Sequence, residues 1–375
     1  MSDIPSIELP SGLIPADGRF GSGPSKVRTE SLLELGVTGS GYMGTSHRRP
    51  GVRAVVGAIR SGMQDLFRLP EDYEVVLGVG GATAFWASAA FGLIERKSQH
   101  LDFGEFSGKF AKVVAGAPHL EEPEIIASDM GTHPEPVPNP EVDLYGLTHN
   151  ETTTGVMMPI IRPEADGIVA VDATSGAGGM RVDPAQFDCY YFSPQKVFGA
   201  EGGLWIALCS PAAIERIERI HNTDRWIPGF LSLQLAVNNS RKDQTTNTPA
   251  LATLFLVRSQ LGAMLELGGL DWAVGRCARS SEIVYGWAEK SEFAYPFVTD
   301  PDKRSTNVAT IDFIDGISAD TVAAVLRANG IVDLEGYRKL GRNQLRIAMF
   351  PNVDPDDLET LTQAIDYIVE RIQGL

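Results

Sequence analysis

The sequence predicts an α/β protein: a large domain built on a mainly parallel sheet, followed by a smaller α+β domain. Three observations predict it. Apolar runs of strand length alternate with helical stretches through the first part of the chain, and past residue 300 the order becomes strand, helix, strand, helix. The length of 375 residues suits two domains with buried cores better than one, and two domains leave a cleft.

Residues 1–20 are rich in Pro, Gly and Ser and read as an extended arm of the kind that crosses a subunit interface, ending in the turn Gly21-Ser22-Gly23-Pro24-Ser25. A helix is expected over Arg49–Phe67, with Val52, Val55, Val56, Ile59, Met63 and Leu66 at helical spacing and Pro50 in its first turn. Strand-like runs follow at Glu74–Val79, Leu144–Thr148, Gly167–Asp172, Cys189–Ser193 and Leu204–Cys209. The uncharged stretch from Val75 to Ile94 is long enough to span a bilayer, but Gly78, Gly80 and Gly81 interrupt it, so strand, glycine turn and buried helix describe it better. A helix over Leu251–Leu267 precedes the change of pattern. Beyond it come a strand at Asn307–Phe313, a helix at Ser318–Ala328, a strand at Gln344–Met349 and a closing helix at Asp354–Ile372. The division is therefore an arm (1–20), a large domain (21–269) and a small C-terminal domain (270–375).

A net charge of −16 argues against nucleic acid or an anionic membrane as partner, and a mean hydropathy of −0.05 is that of a soluble globular chain. An anionic small molecule would need arginines clustered against that field. Cys189, Cys209 and Cys277 have neither disulfide parity nor metal-site spacing, and the N-terminus lacks the basic and apolar regions of a secretory signal, so a cytoplasmic location is expected.

Ligands of α/β sheets gather at the C-terminal ends of the strands. Three of the expected ends carry polar residues: Gly80-Gly81-Ala82-Thr83, His149-Asn150-Glu151-Thr152 and Asp172-Ala173-Thr174-Ser175. In Ser193-Pro194-Gln195-Lys196, followed by Gly199, Gly202 and Gly203, a lysine between strand end and glycine-rich turn can sit partly desolvated and become nucleophilic. On its own such a lysine is more often a surface residue. Asp172 shifts the balance, because a strand-end carboxylate can hold a protonated pyridine nitrogen, although as a lone residue it reads equally as a helix cap. The amides of Gly80–Thr83, opening a helix, can cradle a phosphate; the string lacks both the Lys-Ser/Thr of a phosphate loop and the last glycine of a dinucleotide fingerprint.

In this order Gly-Gly-Ala-Thr, Asn-Glu-Thr, the strand-end Asp and Ser-x-x-Lys resemble the class V group of fold-type I, pyridoxal-phosphate-dependent aminotransferases. Within that group the phosphoserine aminotransferase branch is the most similar, from Phe20-Gly21-Ser22-Gly23-Pro24 through Thr45-Ser46-His47-Arg48 and Asn247-Thr248-Pro249 to the C-terminal arginines. The resemblance implies a seven-stranded large-domain sheet and a homodimer with shared active sites. It implies that Lys196 carries pyridoxal 5'-phosphate as a Schiff base and shuttles the proton, while Asp172 holds the pyridinium. Ala82 and Thr83 would bind the cofactor phosphate, Thr152 and Gln195 the ring or its phenolic oxygen, and Phe106 would stack on the ring. Asn247 and Thr248 would reach the cofactor phosphate of the neighbouring subunit. Arg346 would take the substrate α-carboxylate, and His47, Arg48 and Arg338 the distal anion. The implied reaction is amino transfer from L-glutamate to 3-phosphohydroxypyruvate in serine biosynthesis, with a related phosphorylated substrate of pyridoxine synthesis as an extension.

The chain departs from the family pattern twice. Ala82 stands where an arginine is usual, and Tyr337-Arg338 where a His-Arg pair is usual, which leaves Lys339, Arg342 or Arg49 to compensate. Other class V readings are an alanine- or serine-glyoxylate aminotransferase, needing one anionic anchor, and a cysteine desulfurase, needing a loop cysteine. A non-catalytic binder would need neither Lys196 nor Asp172.

Overall fold

The computed structural model describes residues 5–38 and 41–374, so the first four residues of the expected arm lie outside the described part. Strands β1 (Glu74–Val79), β2 (Ser98–Asp102), β3 (Glu124–Ala127) and β4 (Leu144–Thr148) are followed by a two-residue-per-arm hairpin, β5 (Asn150–Glu151) and β6 (Val156–Met157). Then come β7 (Ile168–Asp172), β8 (Cys189–Phe192) and β9 (Leu204–Cys209). Seven of these form one sheet in the order β1-β9-β8-β7-β4-β2-β3, in which only β9 runs antiparallel to its neighbours. All five expected strands are present. The two that composition hides, β2 and β3, explain why: Ser98-Gln99-His100 is polar yet buried, because Ser98 Oγ and His100 Nε2 pair at 2.8 Å and Gln99 Nε2 donates to Glu124 Oε2 at 2.8 Å.

Helices α1 (Thr29–Thr38), α2 (Pro50–Phe67), α3 (Gly81–Gly92), α4 (Glu105–Ala115), α5 (Pro211–His221), α6 (Leu233–Ser240) and α7 (Leu251–Glu266) surround this sheet. Two apolar clusters lie on its opposite faces. One holds Val56, Ile59 and Met63 of α2 with Val75 and Leu77; the other holds Phe85 and Trp86 of α3 with Val76, where Phe85 stacks on Tyr191 at 4.1 Å between ring centres. Among the described residues no helix is long and apolar enough to cross a membrane.

The C-terminal part opens with α8 (Gly269–Ala288) and contains the antiparallel sheet β10 (Ala294–Pro296), β11 (Val308–Phe313) and β12 (Gln344–Ala348). Helices α9 (Ala319–Ala328) and α10 (Pro355–Gln373) complete it, and Asp354 caps α10 by accepting from Asp356 N. The arm lies on this part of its own chain: Asn329 bonds both Leu9 N and Ile7 O at 2.9 Å, and Val332 N donates to Gly18 O at 2.7 Å. The turn that follows joins it to the lysine segment, with Ser25 N donating to Gln195 O at 2.8 Å.

Candidate active site

The sheet's parallel strands all end on one edge, where β1, β4, β7 and β8 deliver Gly80, His149, Asp172 and Ser193, and antiparallel β9 begins there at Leu204. Cross-strand register puts Thr148 beside Asp172 and Asp172 beside Tyr191. A cavity of about 380 Å³ opens over this edge, within the range of small-ligand sites. Ala82, Thr83, Phe106, Thr152, Asp172, Gln195, Lys196 and Arg346 all line it.

Lys196 is buried, and its Nζ donates to Thr152 Oγ1 at 2.7 Å and lies 4.9 Å from the centre of the Phe106 ring. Burial, aided by the like charge of Arg346, brings its amine from the ordinary 10.5 down to about 8. That leaves a neutral nucleophile within reach of physiological pH. Thr152 is itself held by Ser175 Oγ at 2.9 Å, and Ser175 also accepts from Asn150 Nδ2 at 2.8 Å. Gly23 runs against the lysine stem, where a Cβ would fall 2.9 Å from Lys196 Cε.

Asp172 ends β7 facing the same cavity. Its Oδ2 accepts from Trp86 Nε1 at 3.0 Å and its Oδ1 from Thr174 N at 2.9 Å. Burial pushes its carboxyl upward, while the bonds from Thr174 and Trp86 and the charge of Lys196 oppose the rise. Helix α3 opens at Gly81 after Gly80, both in left-handed backbone at φ +71° and +104°, and Gly80–Thr83 line the cavity, which places the free amides of the helix start at its wall. Phe106 sits in the first turn of α4, and Tyr337 packs beside it at 6.2 Å between ring centres.

Arg346 projects from β12. It forms no ion pair among the described residues, its Nε has no hydrogen-bond partner, and its guanidinium lies 5.5 Å from the Tyr337 ring centre. A wider outer vestibule of about 1170 Å³ shares Ser22, Gly23, Tyr337 and Arg346 with the inner cavity and adds Arg338, Lys339 and Arg342. Of these three, Lys339 is bonded to Glu105 Oε1 at 2.5 Å and Arg342 Nε to Asp312 Oδ2 at 2.8 Å, whereas Arg338 is exposed.

The other expected residues gather elsewhere on the same chain. His47 Nδ1 meets Thr248 Oγ1 at 3.2 Å, Arg48 Nη1 donates to Gln244 Oε1 at 2.8 Å, and Asn247 is exposed beside them. None of the four lines the Lys196 cavity. Burial and the neighbouring Arg48 lower the pKa of His47. Trp86 belongs to the site's structure without any signal in sequence, and Asn150, Thr174, Ser175 and Tyr337, which the strand-end strings and the family comparison bring to notice without a role, belong to it as well. All three cysteines are buried, none in the cavity wall.

Aminotransferase class-V, as a family profile, matches residues 133–339. The phosphoserine aminotransferase of Rhodococcus jostii is 58% identical over 366 residues, covering 97% of this chain and 98% of its own. That of a Nocardioides species is 57% identical over 98% of this chain and 99% of its own. A crystal structure of a phosphoserine aminotransferase from Cytophaga hutchinsonii superposes with a TM-score of 0.86 at 23% identity, over 94% of this chain and 99% of that one, a likeness of fold.

The cavity suits the pyridoxal phosphate this family employs. Thr174 Oγ1, Gln195 Oε1 and Ser22 Oγ are buried in its wall with no protein partner, as hydrogen-bonding groups awaiting a polar ligand are. Of the residues lining it, Lys196 could take the aldehyde carbon, Asp172 the ring nitrogen, Phe106 a ring face and the α3 amides with Thr83 the phosphate.

Proposed function

The chain belongs to the phosphoserine aminotransferases of the class-V aminotransferase family and uses pyridoxal phosphate, and on that premise we propose that it transfers the amino group of L-glutamate to 3-phosphohydroxypyruvate, giving O-phospho-L-serine and 2-oxoglutarate in serine biosynthesis. The observation that carries the substrate reading is a pair of cations at two depths. Arg346, without a carboxylate partner, borders both the inner cavity and the vestibule, and exposed Arg338 lies in the vestibule wall. A doubly anionic amino acid can engage both.

When bound, the cofactor supplies an electron-withdrawing ring that stabilises charge developing at the substrate's α-carbon. The protein's part follows from its geometry. Arg346 offers a planar fork to the α-carboxylate and so orients the α-carbon. Lys196 Nζ, neutral above about pH 8 in the cofactor-free site and steered by Thr152 Oγ1, is the group that holds and moves the α-proton. Asp172, fixed by Trp86 and Thr174, is the carboxylate that would pair with the ring nitrogen of the bound cofactor.

Asn247, Thr248, His47 and Arg48 belong in this reading to the partner subunit's cavity. Their clustering away from their own Lys196 cavity supports a homodimer with shared sites, as does the exposure of the apolar Leu33, Val37 and Met43. The proposed division is an arm over residues 1–20, a cofactor-binding domain over 21–269 and a small domain over 270–375, with the cavity walled by residues from both larger units.

Single-turnover reactions of the holoenzyme with phosphoserine, serine and alanine test the substrate. Charge-assisted hydrogen bonds to the phosphate, about 1.5–3 kcal/mol each, predict that phosphoserine reacts at least roughly tenfold more efficiently than serine. Equal efficiencies for the three would overturn the substrate assignment while leaving the cofactor site intact.

A further inference from the structure

Neither the cofactor nor the substrate reading gives a task to Glu151 of the His149-Asn150-Glu151-Thr152 string. It is fully buried, and no lysine, arginine or histidine pairs with it among the described residues. A buried carboxylate is costly unless hydrogen bonds replace water. Here four do. Oε2 accepts from Phe106 N at 2.9 Å and Ser107 N at 2.8 Å, and Oε1 accepts from Thr153 N at 3.1 Å and Thr153 Oγ1 at 2.7 Å.

Two of those donors are the second and third amides of α4, which would ordinarily be satisfied by the side chain of the residue preceding the helix. That residue is Gly104, which has no side chain to offer. Its lack of a Cβ is also what admits Glu151, because a Cβ on Gly104 would fall 2.3 Å from Glu151 Cγ. The carboxylate thus caps α4 from 45 residues further along the chain, and the negative charge lies at the favourable end of the helix dipole. One of the amides it grips belongs to Phe106, whose ring forms the cavity wall 4.9 Å from Lys196 Nζ.

We propose that Glu151 is a positioning residue for the cofactor site, acting through the backbone of Phe106 to hold that ring in the cavity wall. The inference rests on the reading of Phe106 as the ring-facing aromatic. Glu151 does not line the cavity; its charge reaches Lys196 and Arg346 through space, while its hydrogen bonds reach the site through α4, and Gly104→Ala, which keeps the charge, separates the two.

The test is a double-mutant cycle with Glu151→Gln and Phe106→Ala, read as the pyridoxal-phosphate dissociation constant of the reconstituted full-length protein, by quenching of its tryptophan fluorescence. Glutamine turns one acceptor into a donor facing other donors, so E151Q is expected to weaken cofactor binding by about tenfold or more. F106A is expected to weaken it too, and the double variant should bind no worse than F106A alone. A simple steric or stability defect would instead add to the effect of F106A. Unchanged affinity in E151Q beside a weakened F106A, or additive losses, overturns the inference and leaves the role of Phe106 standing. Unchanged affinity in F106A removes the reading beneath it. Should E151Q not fold, Gly104→Ala displaces the same carboxylate without altering it, and must show the same non-additivity with F106A.

Discussion

Replacing Lys196 with methionine should stabilise the cofactor-free protein at neutral pH, and the gain should fade in alkali. The folded-state pKa of about 8 lies below the ordinary 10.5 because the amine is buried. The folded chain therefore resists holding the proton that the unfolded chain keeps. Below about pH 8 both states carry it and the folded state bears the full penalty; between about 8 and 10.5 only the unfolded state carries it, so stability rises with pH; above 10.5 neither does. A pKa gap of about 2.5, at about 1.4 kcal/mol for each tenfold in an equilibrium constant, makes the penalty about 3 kcal/mol. With an unfolding entropy of about 2.1 cal/mol/K per residue, 375 residues convert this into about 4 °C of melting temperature. The assay is scanning calorimetry of cofactor-free parent and K196M at equal concentration from pH 7 to 10. Whatever constant offset the new side chain brings by packing, the difference between the two must shrink by roughly that amount as pH rises. A gap that stays constant across the range would refute the placement of Lys196 as a desolvated amine.

Trp86→Phe removes one donor from buried Asp172 and should destabilise the cofactor-free protein by about 1.5–3 kcal/mol in urea unfolding, against under about 0.5 if that bond is immaterial. Gly23→Ala puts a Cβ 2.9 Å from Lys196 Cε at a φ of +148°, so the visible band that forms on adding pyridoxal phosphate should grow about 10- to 100-fold more slowly by stopped flow. Tyr337→Leu removes the ring beside the Arg346 guanidinium and should raise the KM for glutamate about 3- to 30-fold with kcat little altered, while Tyr337→Phe, which keeps the ring, should behave as the parent does.

The residues that were legible in sequence are those whose chemistry and chain context coincide. Asp172 ends the apolar strand β7 and Lys196 lies in the turn that follows apolar β8, so their placement at one sheet edge follows from strand period and length, and their roles from the resemblance. Phe106 could be read only by resemblance, because α4 begins without a side-chain cap of its own. Its cap, Glu151, lies on another element, and no local window holds both. Trp86 looked like an ordinary apolar residue of α3; its indole N–H ends on a carboxylate 86 residues away. The same is true of β2, whose polar residues are buried because distant partners satisfy them. The grouping of His47 with Thr248 depends on the docking of two separate loops, which only the folded chain reveals. Of the candidates to make up for Ala82 and Tyr337, folding engages Lys339 with Glu105 and Arg342 with Asp312, two pairings invisible in the spacing of basic residues.

In the proposed function the Lys196 amine carries the cofactor in a cavity that accepts phosphoserine. Borohydride reduction of the holoenzyme followed by peptide mass mapping tests it most directly. The cofactor mass should appear on the peptide containing Lys196, and prior incubation with phosphoserine should abolish the adduct by releasing the lysine. Cofactor mass on a different lysine would displace Lys196 as the cofactor's anchor, and cofactor mass on Lys196 unmoved by phosphoserine would rule out phosphoserine as the substrate.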